Sequence, residues 1–315
     1  MYLGIEIGGT KLQFGVGTGG EIAHLERVAV DRSRAAKGIQ EAILGVGRRL
    51  VAAQDITAIG IGFGGPVDPL RGKVVRSHHI DGWDEFPIVE WLSGALGRPV
   101  ALGNDSAMAG LGEARFGAGR GQKVVFYSNV GSGIGGSLVI DGELYVGGSG
   151  ITGEVGHCRP GLDAVGPEQI VELAASGWGM TTAAREHVRN PPAEFTVPAA
   201  ELLERCHGDV EELDGKILAR AMADGNELAR DVFLRGIQTY GWALAQVITL
   251  LGPNVLVIGG GVPQIGEELY LDPLRREIER YVYPPLRDKY EVRPAALGEE
   301  VVVHGALALA AAVCC

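Results

Sequence analysis

Cysteine is scarce in this chain of 315 residues, which carries four: Cys158, Cys206, Cys314 and Cys315. They are scattered or terminal and have no framework spacing. That excludes a disulfide-stapled secreted scaffold and suits a reducing compartment. Positive charge is also in short supply, with 28 Lys and Arg against 39 Asp and Glu and a net charge of −11. No basic run offsets this balance, so a nucleic-acid partner is not expected. No apolar stretch reaches membrane-spanning length, and no membrane association is expected. The terminal run from Ala306 to Val313 is too short and reads as a packed helix. The N-terminus enters a strand directly, with neither a basic segment nor an apolar leader, so the expected location is the cytoplasm.

Glycine is abundant, at 50 residues. Apolar residues make up 46% and charged residues 21%, a soluble globular composition in a chain long enough for two domains with their own cores. A glycine-rich hairpin near the start, Gly4-Ile5-Glu6-Ile7-Gly8-Gly9-Thr10-Lys11-Leu12-Gln13-Phe14-Gly15-Val16, has a counterpart in the middle of the chain. The counterpart spans 124–139 and includes Asn129-Val130-Gly131-Ser132-Gly133-Ile134-Gly135-Gly136. Each reads as a strand, a tight turn of glycine with a hydroxyl residue, and a second strand. Glycines admit a ligand close to the backbone amides, and Thr10 and Ser132 add hydroxyl donors. One such turn is weak evidence, because hairpins use glycine anyway. Two, from two halves of a chain, can hold a polyphosphate.

The rest of the chain alternates strands and helices, which implies an α/β fold. Strands are expected over 21–30, 56–62, 99–102 and 255–258, and helices over 35–53, 87–96, 104–114 and 227–251. Ile39, Ile43, Val46 and Leu50 recur at helical spacing in the first of these helices. Gly252-Pro253 stops the last. A small α/β domain is expected over 1–118 and a large one over 119–302. The C-terminal helix, 303–315, is expected to pack back on the small domain, with a ligand cleft between the two.

The residues of several segments resemble the ROK family (repressors, open reading frames, kinases) within the actin-like ATPase and sugar kinase superfamily. Glu6-Ile7-Gly8-Gly9-Thr10-Lys11 is similar to the family's Asp-x-Gly-Gly-Thr-Lys. Gly64-Gly65-Pro66-Val67-Asp68 resembles its Pro-Gly-Pro-Val-Asp loop, with Gly64 in place of the first proline. Asn104-Asp105, the 131–136 loop, Gly153-Glu154-Val155-Gly156-His157 and the run 253–261 complete the series in the family's order. The resemblance implies a two-domain actin-like ATPase (ribonuclease H-like) fold with an interdomain cleft. It also implies a kinase branch member rather than a repressor, since the chain begins at the phosphate hairpin.

On that resemblance Asp105 is the catalytic base. A sugar hydroxyl needs a carboxylate to orient it and accept its proton as the bond to phosphorus forms. From spacing alone, Asn104-Asp105 reads equally well as a helix cap. Gly65, His79, Asn104, Glu154, His157 and Glu172 are the further sugar-binding candidates. Glu154 and His157 are one turn apart and suit one pocket, although such a pair is more often a satisfied loop pair. For Glu172 the plainer alternative is an exposed helix carboxylate. Gly8, Gly9, Thr10, Lys11, Gly131, Ser132, Gly133, Gly259, Gly260 and Gly261 are the nucleotide candidates. A surface ion pair is the alternative for Lys11, and an ordinary turn for the last three glycines. ATP and Mg²⁺ are the implied cosubstrate and ion, with Mg²⁺ arriving on the nucleotide and Glu6, one methylene longer than the family's Asp, reaching it through water.

The chain departs from the family in two places. Many members bind structural zinc through the signature His and a cysteine cluster, whereas the equivalent stretch here, 162–172, has no cysteine. Structural zinc is therefore not expected, and Ile170 and Val171 are expected to pack in its place. His79 stands where the family often has Asn near the sugar, which bears on substrate preference. Glucose phosphorylated at O6 is the leading expectation, with an N-acetylhexosamine or fructose as alternatives. A non-catalytic sugar sensor is the alternative from another class, and intact Asp105 argues against it. A polyphosphate-using kinase would want a basic groove, which the net charge disfavours. A homodimer or homotetramer is expected.

Overall fold

The protein's structure is a computed structural model, and it describes residues 1–76 and 81–313. Strands β1 (Tyr2–Ile7), β2 (Lys11–Gly17) and β3 (Ile22–Ala29) form an antiparallel meander. After α1 (Ala35–Ala53) comes β4 (Ala58–Phe63), parallel to β1. A small hairpin, β5 (Val67–Asp68) and β6 (Lys73–Val74), and then α2 (Ile88–Leu96) lead to β7 (Val100–Asn104), parallel to β4. Helix α3 (Asp105–Phe116) follows without a break. The order of this first sheet is β3-β2-β1-β4-β7.

A second sheet, ordered β10-β9-β8-β11-β12, contains β8 (Val124–Val130), β9 (Ile134–Ile140), β10 (Glu143–Tyr145), β11 (Val255–Gly259) and β12 (Glu291–Pro294). Between β10 and β11 lie α4 (Val171–Ala175), α5 (Gly177–Arg189), α6 (Thr196–Arg205), α7 (Gly215–Ala223) and α8 (Glu227–Leu251). Helix α9 (Asp272–Tyr281) precedes β12, and α10 (Val301–Val313) ends the described chain. The chain divides into two compact units. The first comprises Met1–Tyr127, Ser137–Thr152 and Ala295–Cys315; the second comprises Ser128–Gly136 and Gly153–Pro294.

In the first unit, the two faces of the sheet are built differently. One face is aliphatic: Leu3, Ile5, Ile59 and Ile61 pack with Ile39, Ile43 and Leu50 of α1 and with Ile88 and Leu92 of α2, all nearly or fully buried. Each such side chain contributes about 1.5–3 kcal/mol by leaving water. The other face is lined by Gly4, Gly15, Gly60 and Gly62, and α10 lies directly on it. At Gly60 the approach is so close that a Cβ would stand 1.8 Å from the carbonyl oxygen of Ala306. Glycine is needed there because helix backbone occupies the space a side chain would take.

In the second unit, Asn226 caps α8 by accepting from Ala229 N, and Gly252, at φ 56°, ends it. These are a side-chain acceptor for an orphan amide and a left-handed C-terminal residue. A cluster of Met180, Ala184, Leu202, Leu218, Leu228, Val232 and Phe233 packs α5, α6 and α7 around α8. Tyr240 is fully buried on α8, and burial pushes its hydroxyl well above the ordinary tyrosine range. Among the described residues, no helix is long and apolar enough to cross a membrane.

Candidate active site

The candidate residues of the first unit gather at the carboxyl ends of parallel strands β1, β4 and β7, the edge where open α/β sheets bind ligands. β1 delivers Glu6 and the Gly8–Lys11 turn, β4 delivers Gly64 and Gly65, and β7 delivers Asn104 and Asp105. Gly64 N donates to Ile7 O at 2.9 Å, tying the first two loops together. Asn104 Nδ2 donates to Gly65 O at 2.9 Å, tying the second to the third.

Asn104 is also the N-cap of α3, its Oδ1 accepting from Ser106 N and Ala107 N. Its amide also hydrogen-bonds the Asp105 carboxylate, so Asn104 positions the candidate base as well as capping the helix. Asp105 opens the helix, and its Oδ1 accepts from Ser106 N at 2.7 Å. Oδ2 is turned towards the Gly64 loop, 3.6 Å from where a Cβ on Gly64 would stand. Burial raises the Asp105 carboxyl above the usual aspartate range, against the hydrogen bonds from Ser106 and Asn104 that lower it. The result is a carboxylate more basic than usual at a helix N-terminus that favours its charge.

Glu6 is raised as well. Burial is the largest cause, Gln13 and Lys11 oppose it, and Asp105 and Glu299 add to it. In the turn, Gly8 N donates to Lys11 O at 3.1 Å and Thr10 is exposed. Lys11 Nζ lies 3.0 Å from Glu299 Oε2, so the lysine rests in an ion pair. Arg32 Nε donates to Gly9 O at 3.0 Å, placing a guanidinium beside the turn.

The second unit gathers the other set. The 131–133 turn is closed by Gly131 N donating to Gly133 O, and Gly177 N donates to Gly131 O at 2.8 Å. The turn therefore rests on the N-terminus of α5, which Ser176 caps. Glu172 is half-buried and not an exposed helix carboxylate: its Oε2 accepts from Ile134 N at 2.7 Å. Glu154 and His157 are exposed at the two ends of one 3₁₀ turn whose Val155 and Gly156 are buried, with His157 N donating to Glu154 O. Gly156 in that turn backs onto Ile134 and Glu172. Glu172, the 131–134 turn and the 154–157 turn are thus neighbours. Gly260 sits at φ 93° with its α-carbon against β8, where a Cβ would stand 2.3 Å from Val130 O. A close backbone approach explains that glycine, whereas Gly261 has open space around it. Val171 is fully buried. His79 lies outside the described residues.

Among the described residues, no group of three or more His, Cys, Asp or Glu is placed to hold a metal ion. Among the ionisable residues that sequence reasoning missed, Arg27 and Arg32 bond to Gln13 and Gly9 respectively, and Glu299 pairs with Lys11. Gln13 itself left one trace, a polar side chain between the apolar Leu12 and Phe14.

The model of the ROK family matches residues 2–313. The chain belongs to the ROK family. A glucokinase of Streptomyces coelicolor is 31% identical over 98% of this chain and 97% of its own length. The crystal structure of a ROK hexokinase from Thermus thermophilus superposes with a TM-score of 0.84 at 29% identity, covering 99% of this chain and 98% of that one. A ROK family glucokinase from Streptomyces griseus, solved in complex with glucose and AMPPNP, gives a TM-score of 0.80 at 33% identity and 98% coverage of both. The fold of this ROK protein is the mixed α/β actin-like ATPase fold.

Proposed function

We propose that this ROK protein is an ATP-dependent hexose kinase that transfers the γ-phosphoryl group to O6 of glucose. The chain is a sugar kinase, and the glucose acceptor and the ATP donor are the steps taken beyond that. The observation that carries the reading is Asp105 at the end of β7. One of its carboxylate oxygens is held by Ser106 N, the other is turned to the Gly64 loop, and burial strengthens it as a base.

In this reading the sugar O6–H gives its proton to Asp105 Oδ2. The freed oxygen pair bonds to the γ-phosphorus, the bond to the bridging oxygen breaks, and ADP leaves with that electron pair. The transition state is loose, so orienting the hydroxyl matters more than base strength. Asn104, tied to Gly65 O and to the Asp105 carboxylate, is assigned to a second sugar oxygen. Glu154, His157 and Glu172 are assigned to the remaining hydroxyls. The turns carrying Thr10 and Ser132 are assigned to phosphate oxygens, and the 259–261 turn to adenosine. Mg²⁺ bound with the nucleotide would supply positive charge against the phosphate oxygens. Glu6, an ionisable carboxylate beside the first turn, is the group that fits its hydration shell.

The test is ADP release across glucose, mannose, fructose, N-acetylglucosamine and N-acetylmannosamine, with the product's phosphorylated position read by NMR. Glucose 6-phosphate as the best product is expected. Turnover confined to another sugar overturns the glucose assignment, and no ADP release with any sugar overturns the kinase reading.

A further inference from the structure

Three polar side chains form one row across the first sheet. Strand register pairs Glu6 with Gln13 and Gln13 with Arg27. All three therefore project from one face, the glycine-lined face that α10 covers. Gln13 is completely buried. Arg27 Nε can only donate, and it lies 2.9 Å from Gln13 Oε1, which fixes the orientation of the amide. The two Nε2 protons then go to Glu6 Oε2 and, at 2.8 Å, to the carbonyl oxygen of Glu299. Arg27 is held in turn by the carboxylate of Glu300. Every polar atom of the amide is satisfied, as a buried amide requires. The other Glu6 oxygen, Oε1, is turned to the first glycine turn, 4.0 Å from where a Cβ on Gly8 would stand.

We propose that Gln13 is a positioning residue of the phosphoryl-transfer site. It clamps Glu6 so that one oxygen is held and the other faces the Gly8–Lys11 turn, ready for the hydrated divalent cation that a nucleoside triphosphate carries. The proposal rests on the kinase reading above. An apolar residue would fill this buried position with less desolvation, and the amide adds a grip on Glu6 and a link to the entry of α10. The groups facing Glu6 decide its charge. Gln13 and Lys11 favour the carboxylate, while burial, Asp105 and Glu299 oppose it. Removing Gln13 therefore lets Glu6 take up a proton at higher pH.

Two variants test this: Gln13→Met, which keeps the volume without polar atoms, and Gln13→Glu, which keeps a partner for Arg27. The first readout is the ¹³C carboxyl titration of Glu6 in the ligand-free protein, assigned with Glu6→Gln. Its midpoint is expected to rise in both variants. The second is calorimetric affinity for a non-hydrolysable ATP analogue with and without Mg²⁺. The preference for the Mg²⁺-loaded form is expected to fall roughly tenfold, the worth of one charge-assisted hydrogen bond, with sugar affinity kept. An unmoved titration, or an equal loss of affinity for both nucleotide forms and for sugar, overturns the proposal. If Gln13→Met does not fold, Gln13→Glu decides by the nucleotide readout, since a second carboxylate beside Glu6 raises its midpoint by repulsion alone. Neither readout needs turnover. A wild type that binds the Mg²⁺-loaded analogue and phosphorylates no sugar overturns the kinase reading alone.

Discussion

Asp105 and Glu6 stand at the same edge of the first sheet, at the ends of β7 and β1 with β4 between them, and burial raises both carboxyls above the ordinary range. For Asp105 this has a consequence for stability with a definite sign. Protonation is favoured in the folded state, so the stability it contributes is full below the ordinary aspartate pKa and is lost as pH rises through the folded value. The active protein near neutral pH thus carries an ionised group that folding disfavours. Asp105→Asn removes that charge and keeps a side-chain oxygen to accept from Ser106. Near neutrality the variant is expected to melt at a higher temperature than the wild type, and the difference should close as pH falls below the aspartate range. Its turnover is expected to drop roughly 10²–10⁴-fold, the worth of a positioned base, with sugar affinity largely kept. Calorimetric melting over a pH series and single-sugar kinetics check both halves. Near-normal kcat would remove Asp105 from the chemistry, and a lower melting temperature at neutral pH would refute the buried-charge argument.

At the scale of elements, a buried carboxylate with no part in the proposed chemistry holds α3 in place. Glu113 has no exposed surface. Its Oε2 accepts from Ala118 N at 2.7 Å, and its Oε1 accepts from Ala296 N and Leu297 N at 2.8 Å each. This pins the C-terminal end of α3 to the segment that leads into α10. Glu113→Gln turns one acceptor into a donor facing backbone N–H groups. It is expected to cost about 1–3 kcal/mol, the penalty for leaving buried donors unmatched, read from urea midpoints. No measurable loss would mean that the three bonds do not hold the segment. Glu113 also marks what a sequence hides. α1 was legible to the residue because its apolar positions keep helical spacing, and α8 because Gly252 ends it. The catalytic candidates were legible because glycine turns and strand ends have local signatures. Glu113 reads as one more helix charge, since its partners lie far along the chain at 296 and 297. The row Glu6, Gln13 and Arg27 needs a three-strand register, and Gly260 needs the backbone of Val130. None of these is a local pattern, so none could be read before the fold was known.

For the whole molecule, metal and sugar give separate tests. Arg159 Nη1 donates to the carbonyls of Gly166 and Gln169, and Gln169 Oε1 accepts from Gly166 N at 2.7 Å. The 159–170 loop is thus closed by hydrogen bonds. With no cysteine in 162–172, purified protein is expected to hold no stoichiometric zinc, and a chelator should leave its melting temperature unchanged. About one zinc per chain by elemental analysis would overturn this. Sugar should behave oppositely, because a ligand that binds only the folded state stabilises it by mass action, about 2.7 kcal/mol at a hundredfold excess over Kd. Melting temperatures across the sugar panel should therefore rank with kcat/KM, since the grip that orients the hydroxyl also anchors the sugar. Asp105→Asn should keep the ranking of melting shifts while losing the turnover, because the base acts on a proton after the sugar is bound. If instead one sugar raises the melting temperature strongly and neither it nor any other is phosphorylated, binding has been separated from chemistry in the wild type itself, and the protein is a sensor built on a kinase fold.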